Sequence, residues 1–314
     1  MVADLPNLAK FEYVDQVNRA IDHAVRHLAG PLPLAELARV ARFSPYHFHR
    51  IFSALMGETV HAFVKRVRLE RALFLMSHQP QLSLTQVAFA CGFSSSSDFS
   101  RSFRARYGVS PRGLDIAQFR AGRQADMLEA LVAHQRHRLA PLPAGEHPDE
   151  FDVRLRRVPR RRVAYVRVRH PYDGGVPAAA ARLVAWAEAR GLAGGQWLGY
   201  QWEDPETVPL EQCRYDVAVE IPGDHVVDGE VGVADFPAMT LAEIDVAGPV
   251  ELELRALQWL YRTWLPASGF VPDHQPCFEA WNGRPFAGGG PDVDLRVQLA
   301  VVATAAAAPR TLRR

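Results

Sequence analysis

The sequence predicts a multidomain protein: an all-α domain of two helix-turn-helix units, followed by an α+β domain of two pseudo-symmetric βαββ repeats. Three observations carry this. A short helix–turn–helix pattern occurs twice within residues 1–120. Eight residues between positions 157 and 220 recur 78 positions later in one ungapped register. Between these regions lies LAPLPAGEHPDE (139–150), whose three prolines and glycine stop a helix and read as a linker. The expected layout is a helical domain over 1–120, a helix and Pro-rich linker over 121–150, and a second domain over 151–304. A chain of 314 residues is long enough for two ordinary domains.

In the first domain LAELARVARFS (34–44) aligns with LTQVAFACGFS (84–94). Leu34, Ala38, Phe43 and Ser44 recur at an offset of 50 as Leu84, Ala88, Phe93 and Ser94. Beyond the turn the offset is 51, and Phe48, Arg50, Phe52 and Gly57 recur as Phe99, Arg101, Phe103 and Gly108. One extra residue in the second turn accounts for the change. Leu34, Leu37, Ala38 and Ala41, then Phe48, Ile51, Phe52 and Leu55, keep the spacing near 3.6 of apolar helix stripes. Ser44 and Ser94 stand where an N-cap hydroxyl belongs, and Pro45 suits the first helical position. The segment 59–78 reads as one connecting helix about 30 Å long, close to the roughly 34 Å between successive major-groove faces of B-DNA.

This arrangement resembles the AraC/XylS family of bacterial transcription regulators. The resemblance covers roughly 12–120 and is carried best by GFSSSSDFSRSFRARYGVSP, with Gly92, Phe93, Phe99, Arg101, Phe103, Gly108 and Pro111. The first copy departs from it at Arg42, where glycine is usual in a turn needing positive φ. The resemblance implies a double-stranded DNA operator as partner. By position on the resembled helices, Tyr46, His49 and Arg50 face one groove segment and Ser96, Ser97, Ser100 and Arg101 the next. Arg50 and Arg101 suit a guanine edge. His47 and His49 alternate with aromatics, so either equally caps or packs; two apart on a helix, they make no metal pair. Arg66, Arg68, Arg104, Arg106 and Arg112 are candidates for phosphate contact or for a solvated face.

In the second domain Pro159, Ala164, Val168, Pro171, Trp186, Gly191, Asp216 and Val219 recur as Pro237, Ala242, Val246, Pro249, Trp264, Gly269, Asp294 and Val297. Each repeat reads as a strand (161–169; 239–246), a helix (177–190; 251–265) and two strands (197–203, 214–221; 276–281, 293–302). The pattern is similar to the GyrI-like domain, through WLPASGF, PCFEAWNG and DVDLRVQLAV. That resemblance implies a small-molecule effector and makes Glu279 a buried anion for cationic, aromatic ligands. Trp281, two residues on, shares its strand face. Tyr165 and Glu243 are expected to point away from the helices into a groove between the repeats. With Gln201, the counterpart of Glu279, they complete the expected ligand site: Tyr165, Gln201, Glu243, Glu279 and Trp281. Glu243 reads equally well as a solvent-facing residue.

Charge agrees with the division. Residues 1–120 hold 15 basic against 9 acidic side chains, and residues 161–314 hold 14 against 20. A basic third beside an acidic remainder fits a polyanion binder joined to a part that does not touch polyanions. Of the 36 basic residues 34 are arginine, so a single arginine is weak evidence for recognition. With 48% hydrophobic and 23% charged residues the chain is neither disordered nor fibrous. The N-terminus has no apolar signal region, no run is long enough to cross a bilayer, and Cys91, Cys213 and Cys277 form no CxxC. A cytoplasmic protein without membrane contact, metal or cofactor is expected. No GxSxG, HExxH, P-loop or dinucleotide motif stands in the context it needs, and the glycines at 288–290 read as a turn. The leading reading is a one-component transcription regulator sensing a small aromatic, cationic ligand, with RNA polymerase as a further partner, and not an enzyme. The alternatives are a hydrolase of electrophilic small molecules using Glu243, Glu279 and Tyr165, and a protein-binding module of the gyrase-inhibitor kind.

Overall fold

The computed structural model describes residues 7–123, 149–223, 225, 227, 230–287 and 292–304. The helix expected over 125–138, most of the linker and the glycine turn at 288–290 lie outside the described residues. The chain divides into two compact units: Met1–Arg123 with the short segments Glu206–Val208 and Val226–Gly232, and the remainder.

The first unit is helical: α1 (Asn7–Arg26), α2 (Leu34–Val40), α3 (Pro45–Met56), α4 (Val60–His78), α5 (Leu84–Ala90), α6 (Ser96–Tyr107) and α7, helical over 116–123. The caps explain the boundaries. The Ser44 hydroxyl accepts from the His47 N–H at 3.3 Å, Pro45 opens α3, and Gly57 closes it at φ +71°. Thr59 caps α4, and Ser83 with Gln86 forms a reciprocal capping box on α5. The cap of α6 is Ser95, which accepts from Asp98 N–H at 3.1 Å, and not Ser94. The extra residue of the second turn lies before the cap, so the serine equivalent to Ser44 is 51 residues on.

The expected connecting helix is α4, and its two halves serve the two copies. Phe63 meets Phe52 edge-on, with Phe48 packed at a tilt on Phe52. Leu69, Ala72 and Leu73 join Val87, Ala88, Phe93, Phe99 and Phe103 in a second buried cluster. The turns between the paired helices both have positive φ, +56° at Arg42 and +79° at Gly92. Arg42 is exposed, but at Gly92 a Cβ would lie 2.4 Å from Leu28 O and 2.9 Å from Arg68 Nη2. Arg68 is held there by bonds to Leu28 O (3.1 Å) and Gly30 O (2.7 Å).

The second unit holds β1 (Arg154–Val158), β2 (Arg161–Arg169), α8 (Val176–Glu188), β3 (Trp197–Gln201), β4 (Arg214–Glu220), β5 (Gly232–Phe236), β6 (Met239–Pro249), α9 (Val250–Trp259), α10 (Leu265–Ser268), β7 (Phe270–Pro272), β8 (Cys277–Trp281) and β9 (Asp292–Ala303). A π-turn over Leu260–Trp264 joins α9 to α10, where Pro266 removes an N–H that an uninterrupted helix would bond. Every expected strand and helix is present. The short strands β1, β5 and β7 are additional: β1 interleaves arginines with apolar residues, and β5 is only five residues long.

All strands join one sheet of order β1-β6-β9-β8-β3-β4-β2-β5, with β7 beside β9. Two residues separate β1 from β2, and two separate β5 from β6, although each pair stands near opposite ends of that order. The sheet must therefore curl until its ends approach. Val158, Tyr165, Phe236, Met239, Leu241, Phe278 and Ala300 fill the inside of the curl as one buried cluster. The other face carries α8 on β2 and β4, and α9 on β6 and β9.

Gly92→Ala meets backbone and guanidinium at once and should cost several-fold more stability than Gly108→Ala. The latter has the same left-handed backbone but nothing within 4 Å of a Cβ, so only the conformational cost of about 1–2 kcal/mol applies. Chemical denaturation of the two variants against the parent checks the ordering.

Candidate functional site

On α3, Tyr46, His49 and Arg50 are all exposed, as are Ser97, Ser100 and Arg101 on α6. Arg50 donates to the Tyr46 hydroxyl at 2.9 Å and lies over its ring, so the two form one exposed polar pair on the first turns of the helix. His47, not His49, serves the helix cap: its Nδ1 is 3.1 Å from Ser44 Oγ. Ser96 is partly covered and donates to Thr85 at 3.2 Å. In both copies the aromatic residues of the second helix are buried (Phe48, Phe52; Phe99, Phe103) and the polar residues face outward.

Of the phosphate candidates, Arg104 and Arg112 are exposed. Arg66 is not: it is buried and ion-paired to Glu58 (2.6 Å) and Glu70 (3.1 Å). Arg68 is spent on the carbonyls of Leu28 and Gly30, and Arg106 pairs with Glu70 at 3.3 Å. The arginines of α4 thus hold the helices together, because that helix is buried along most of its length.

The five residues expected around a ligand are divided between the two faces of the sheet. Register places Val166, Val217, Gly199, Glu279, Val297 and Ile244 in one row, on the face that carries the helices. Gln201 and Trp281, two residues from Gly199 and Glu279, share that face. Tyr165 and Glu243 point the other way, as expected, but both are buried there instead of lining an open groove. Tyr165 is 1% exposed inside the curl, with the Arg167 guanidinium 4.9 Å from its ring. Glu243 is buried, accepts from Gln298 at 2.6 Å and pairs with Arg156 at 3.2 Å. Neither the shared groove nor the solvent-facing alternative for Glu243 holds. The curl closes over that face, and buried polar groups there must be satisfied.

Glu279 stands on the helix-bearing face. Glu279 lies deep in the domain, yet solvent still reaches part of it, as it does Tyr172, Gln201 and Cys277. The Tyr215 hydroxyl donates to the Glu279 carboxyl. Gly199 makes this possible, since a Cβ there would sit 1.8 Å from Tyr215 Oη. From the first turn of α9 the buried Glu253 carboxyl comes near enough to Glu279 for the two to act on each other electrostatically. Gln201 donates to the Tyr172 hydroxyl at 3.4 Å, and Phe286 packs on Trp281 with centroids 4.9 Å apart. No basic side chain among the described residues forms an ion pair with Glu253 or Glu279. Burial pushes both carboxyls up, Glu279 to about 7 and Glu253 well above its ordinary value; the bond from Tyr215 restrains the rise at Glu279. Beside Trp281 an open cavity of about 410 Å³ is lined by Gly195, Trp197, Asn282 and Arg284.

Comparison with known proteins agrees with both units. Residues 37–115 match the model of a helix-turn-helix domain, and residues 151–288 that of the GyrI-like small molecule binding domain. A DNA gyrase inhibitor of Serratia proteamaculans is 33% identical over 150 residues, covering 46% of this chain and 94% of its own. The chain is an AraC-type helix-turn-helix protein with a C-terminal GyrI-like domain. Its helical unit is 40% identical over 100 residues to the probable transcriptional regulator LumQ of Photobacterium leiognathi, covering 31% of this chain and 40% of that protein. Among solved structures, the DNA-binding domain of the global transcriptional factor AdpA, in complex with a target DNA, is 29% identical. It covers 35% of this chain and 97% of that one at a TM-score of 0.32. The chain thus spans less than half of LumQ and nearly all of the gyrase inhibitor. No described helix is long and apolar enough to cross a membrane.

Glu253, Tyr215 and Tyr172 were not among the residues read from the sequence of the GyrI-like domain. Glu253 had a signal: it falls on the buried stripe of α9 with Ala256 and Leu260, where a carboxylate has no place unless it is bonded. Tyr215 had none, since its meeting with Glu279 depends on the order of β4, β3 and β8.

Between about 4.5 and 7 the folded chain keeps a proton at Glu279 that the unfolded chain has lost. Stability of the domain therefore falls as pH rises through that window. Glu279→Gln should melt with less loss over the same window. Thermal melts of parent and variant at several pH values measure the difference, and parallel slopes would refute it.

Proposed function

We propose that the protein is a transcription regulator in which the helical unit reads an operator and the GyrI-like domain binds a small aromatic cation at Glu279. The observation carrying the second half is a deep, solvent-reached carboxylate among Tyr215, Tyr172 and Trp281 with no cationic partner among the described residues. A lipophilic cation supplies the missing charge while the rings take its faces. Gln201 lies at the rim as a neutral polar contact. Tyr46, His49 and Arg50, with Ser96, Ser97, Ser100 and Arg101, are the proposed base-reading groups. Their exposure on α3 and α6, over buried aromatic faces, supports this reading. Ligand binding changes transcription only by favouring one conformation over another. Such a regulator acts in the cytoplasm, at its operator, by recruiting or obstructing RNA polymerase.

The same reading takes the GyrI-like domain as a duplication of one unit, and the strand order supports it. An offset of 78 carries β1 onto β5, β2 onto β6, and the starts of β3 and β4 to within two residues of β8 and β9. The order β1-β6-β9-β8 then continues as the partners β3-β4-β2-β5 in reverse.

Hydrolysis is the second reading, favoured by two buried carboxyls, Glu253 and Glu279, near the Tyr215 hydroxyl: one carboxyl to donate a proton, one carboxylate to accept one. A thermal-shift screen with aromatic cations and neutral aromatics, alongside incubation with epoxides, separates the two. Stabilisation by cations, absent in Glu279→Gln and without product, supports sensing; turnover lost in Glu279→Gln supports chemistry.

For the helical unit, Arg101→Ala should cost about 1–3 kcal/mol at one cognate base pair and relax specificity there. Binding to a set of operator variants reads this out, and a uniform loss across them would make Arg101 a phosphate contact.

A further inference from the structure

Resting on the base-reading role proposed above for α3, the contacts of Tyr46 set how Arg50 meets a base. Tyr46 is 65% exposed at the second position of α3, and Arg50 follows it by about one helical turn. The Arg50 Nη1 donates to the phenol oxygen at 2.9 Å, and its guanidinium carbon lies 5.7 Å from the ring centroid. The tyrosine ring has support of its own. His47 meets it edge-on at 5.7 Å, and the His47 Nδ1 is 3.1 Å from the cap hydroxyl of Ser44. Orientation thus passes outward from the helix cap, through two rings, to the arginine.

A guanidinium has two edges able to make paired bonds, Nη1 with Nη2 and Nε with Nη2. The tyrosine hydroxyl engages Nη1 and leaves the Nε–Nη2 edge, two donors side by side. In the major groove only guanine answers with two acceptors, O6 and N7. The second copy is built differently. The offset of 51 puts Arg101 at the place of Arg50, but Ser97 and Asp98 at the places of Tyr46 and His47. Neither has a ring to lie against a guanidinium.

We propose that Tyr46 is a positioning residue that acts on DNA through Arg50, so that the first copy demands one guanine while the second tolerates exchange at its own. An arginine free to turn redirects its donors to a phosphate when its guanine is replaced, and recovers part of the loss. One held against a ring does not. Freezing a long side chain at an interface weakens binding about two- to tenfold, and Tyr46 has done the freezing before DNA arrives.

The test uses the full-length protein and a duplex that it selects from a random-sequence library, with binding read by fluorescence anisotropy as each base pair is exchanged in turn. Arg50→Ala should abolish the preference for one G·C pair, and Arg101→Ala that for another. In the parent, exchange at the first pair should cost more than at the second. Tyr46→Phe keeps the ring and removes the hydroxyl. It should weaken binding to the selected duplex about two- to tenfold and narrow discrimination at the Arg50 pair, with the slope of affinity against salt unchanged. Added to Arg50→Ala it should change nothing further. Full discrimination in Tyr46→Phe, loss at a different base pair, a reduced salt slope, or additive loss in the double variant would each overturn the positioning role. Without DNA, the NMR order parameter of the Arg50 Nε–H bond should exceed that of Arg101 and fall to it in Tyr46→Phe; equal order in the parent likewise overturns the role. If Arg50→Ala leaves every base preference intact while Arg50 stays the more ordered, what fails is the base reading of α3, and the positioning role falls with it.

Discussion

The GyrI-like domain depends on one constraint: two-residue connections join strands from opposite ends of a single sheet. Pro159 and Arg160 lead from β1 to β2, and Pro237 and Ala238 from β5 to β6, so the sheet has to bend back on itself. Bending gives its faces different fates. One face becomes a closed interior where Tyr200, Phe236 and Phe278 meet edge to face. The other stays open enough for α8 and α9 to lie across it, and only there can a side chain be deep and still meet solvent.

Glu279 occupies that position, and its neighbours follow from it. A carboxyl removed from water costs several kcal/mol unless it is neutral, paired or hydrogen-bonded. Here the remedy combines one donor, the Tyr215 hydroxyl, with residual contact with solvent. Glycine at 199 is part of the same solution, since any side chain there would displace the tyrosine hydroxyl. Inside the curl, Glu243 meets the same penalty with Gln298 and Arg156. One glutamate is compensated by the protein's own cation; the other, among the described residues, by a tyrosine hydroxyl and contact with solvent.

The helical unit reaches its arrangement by simpler means. Serine, threonine and glycine set the helix ends, aromatic stripes set the buried sides, and α4 contributes one half to each copy. Its arginines show the limit of reading charge from sequence. Arg66 and Arg68 stand in a basic run, yet one answers Glu58 and Glu70 and the other ties down the loop after α1. Two of the exposed arginines, Arg50 and Arg101, lie at equivalent positions of the two copies.

The chain by itself determined the two units and the position of almost every described helix and long strand. Those features are local: caps, apolar spacing and turn residues act over a few positions. It also placed Glu279 and Trp281 on one strand face, because alternation along a strand is a local rule. Only the tertiary structure decided which face that was, and that Tyr165 and Glu243 belong to the interior. It alone brought Tyr215 and Glu253 to Glu279 across 64 and 26 positions of sequence. Strand order and the curl of the sheet govern such meetings. They arise from the packing of the whole domain, which no short stretch of sequence contains.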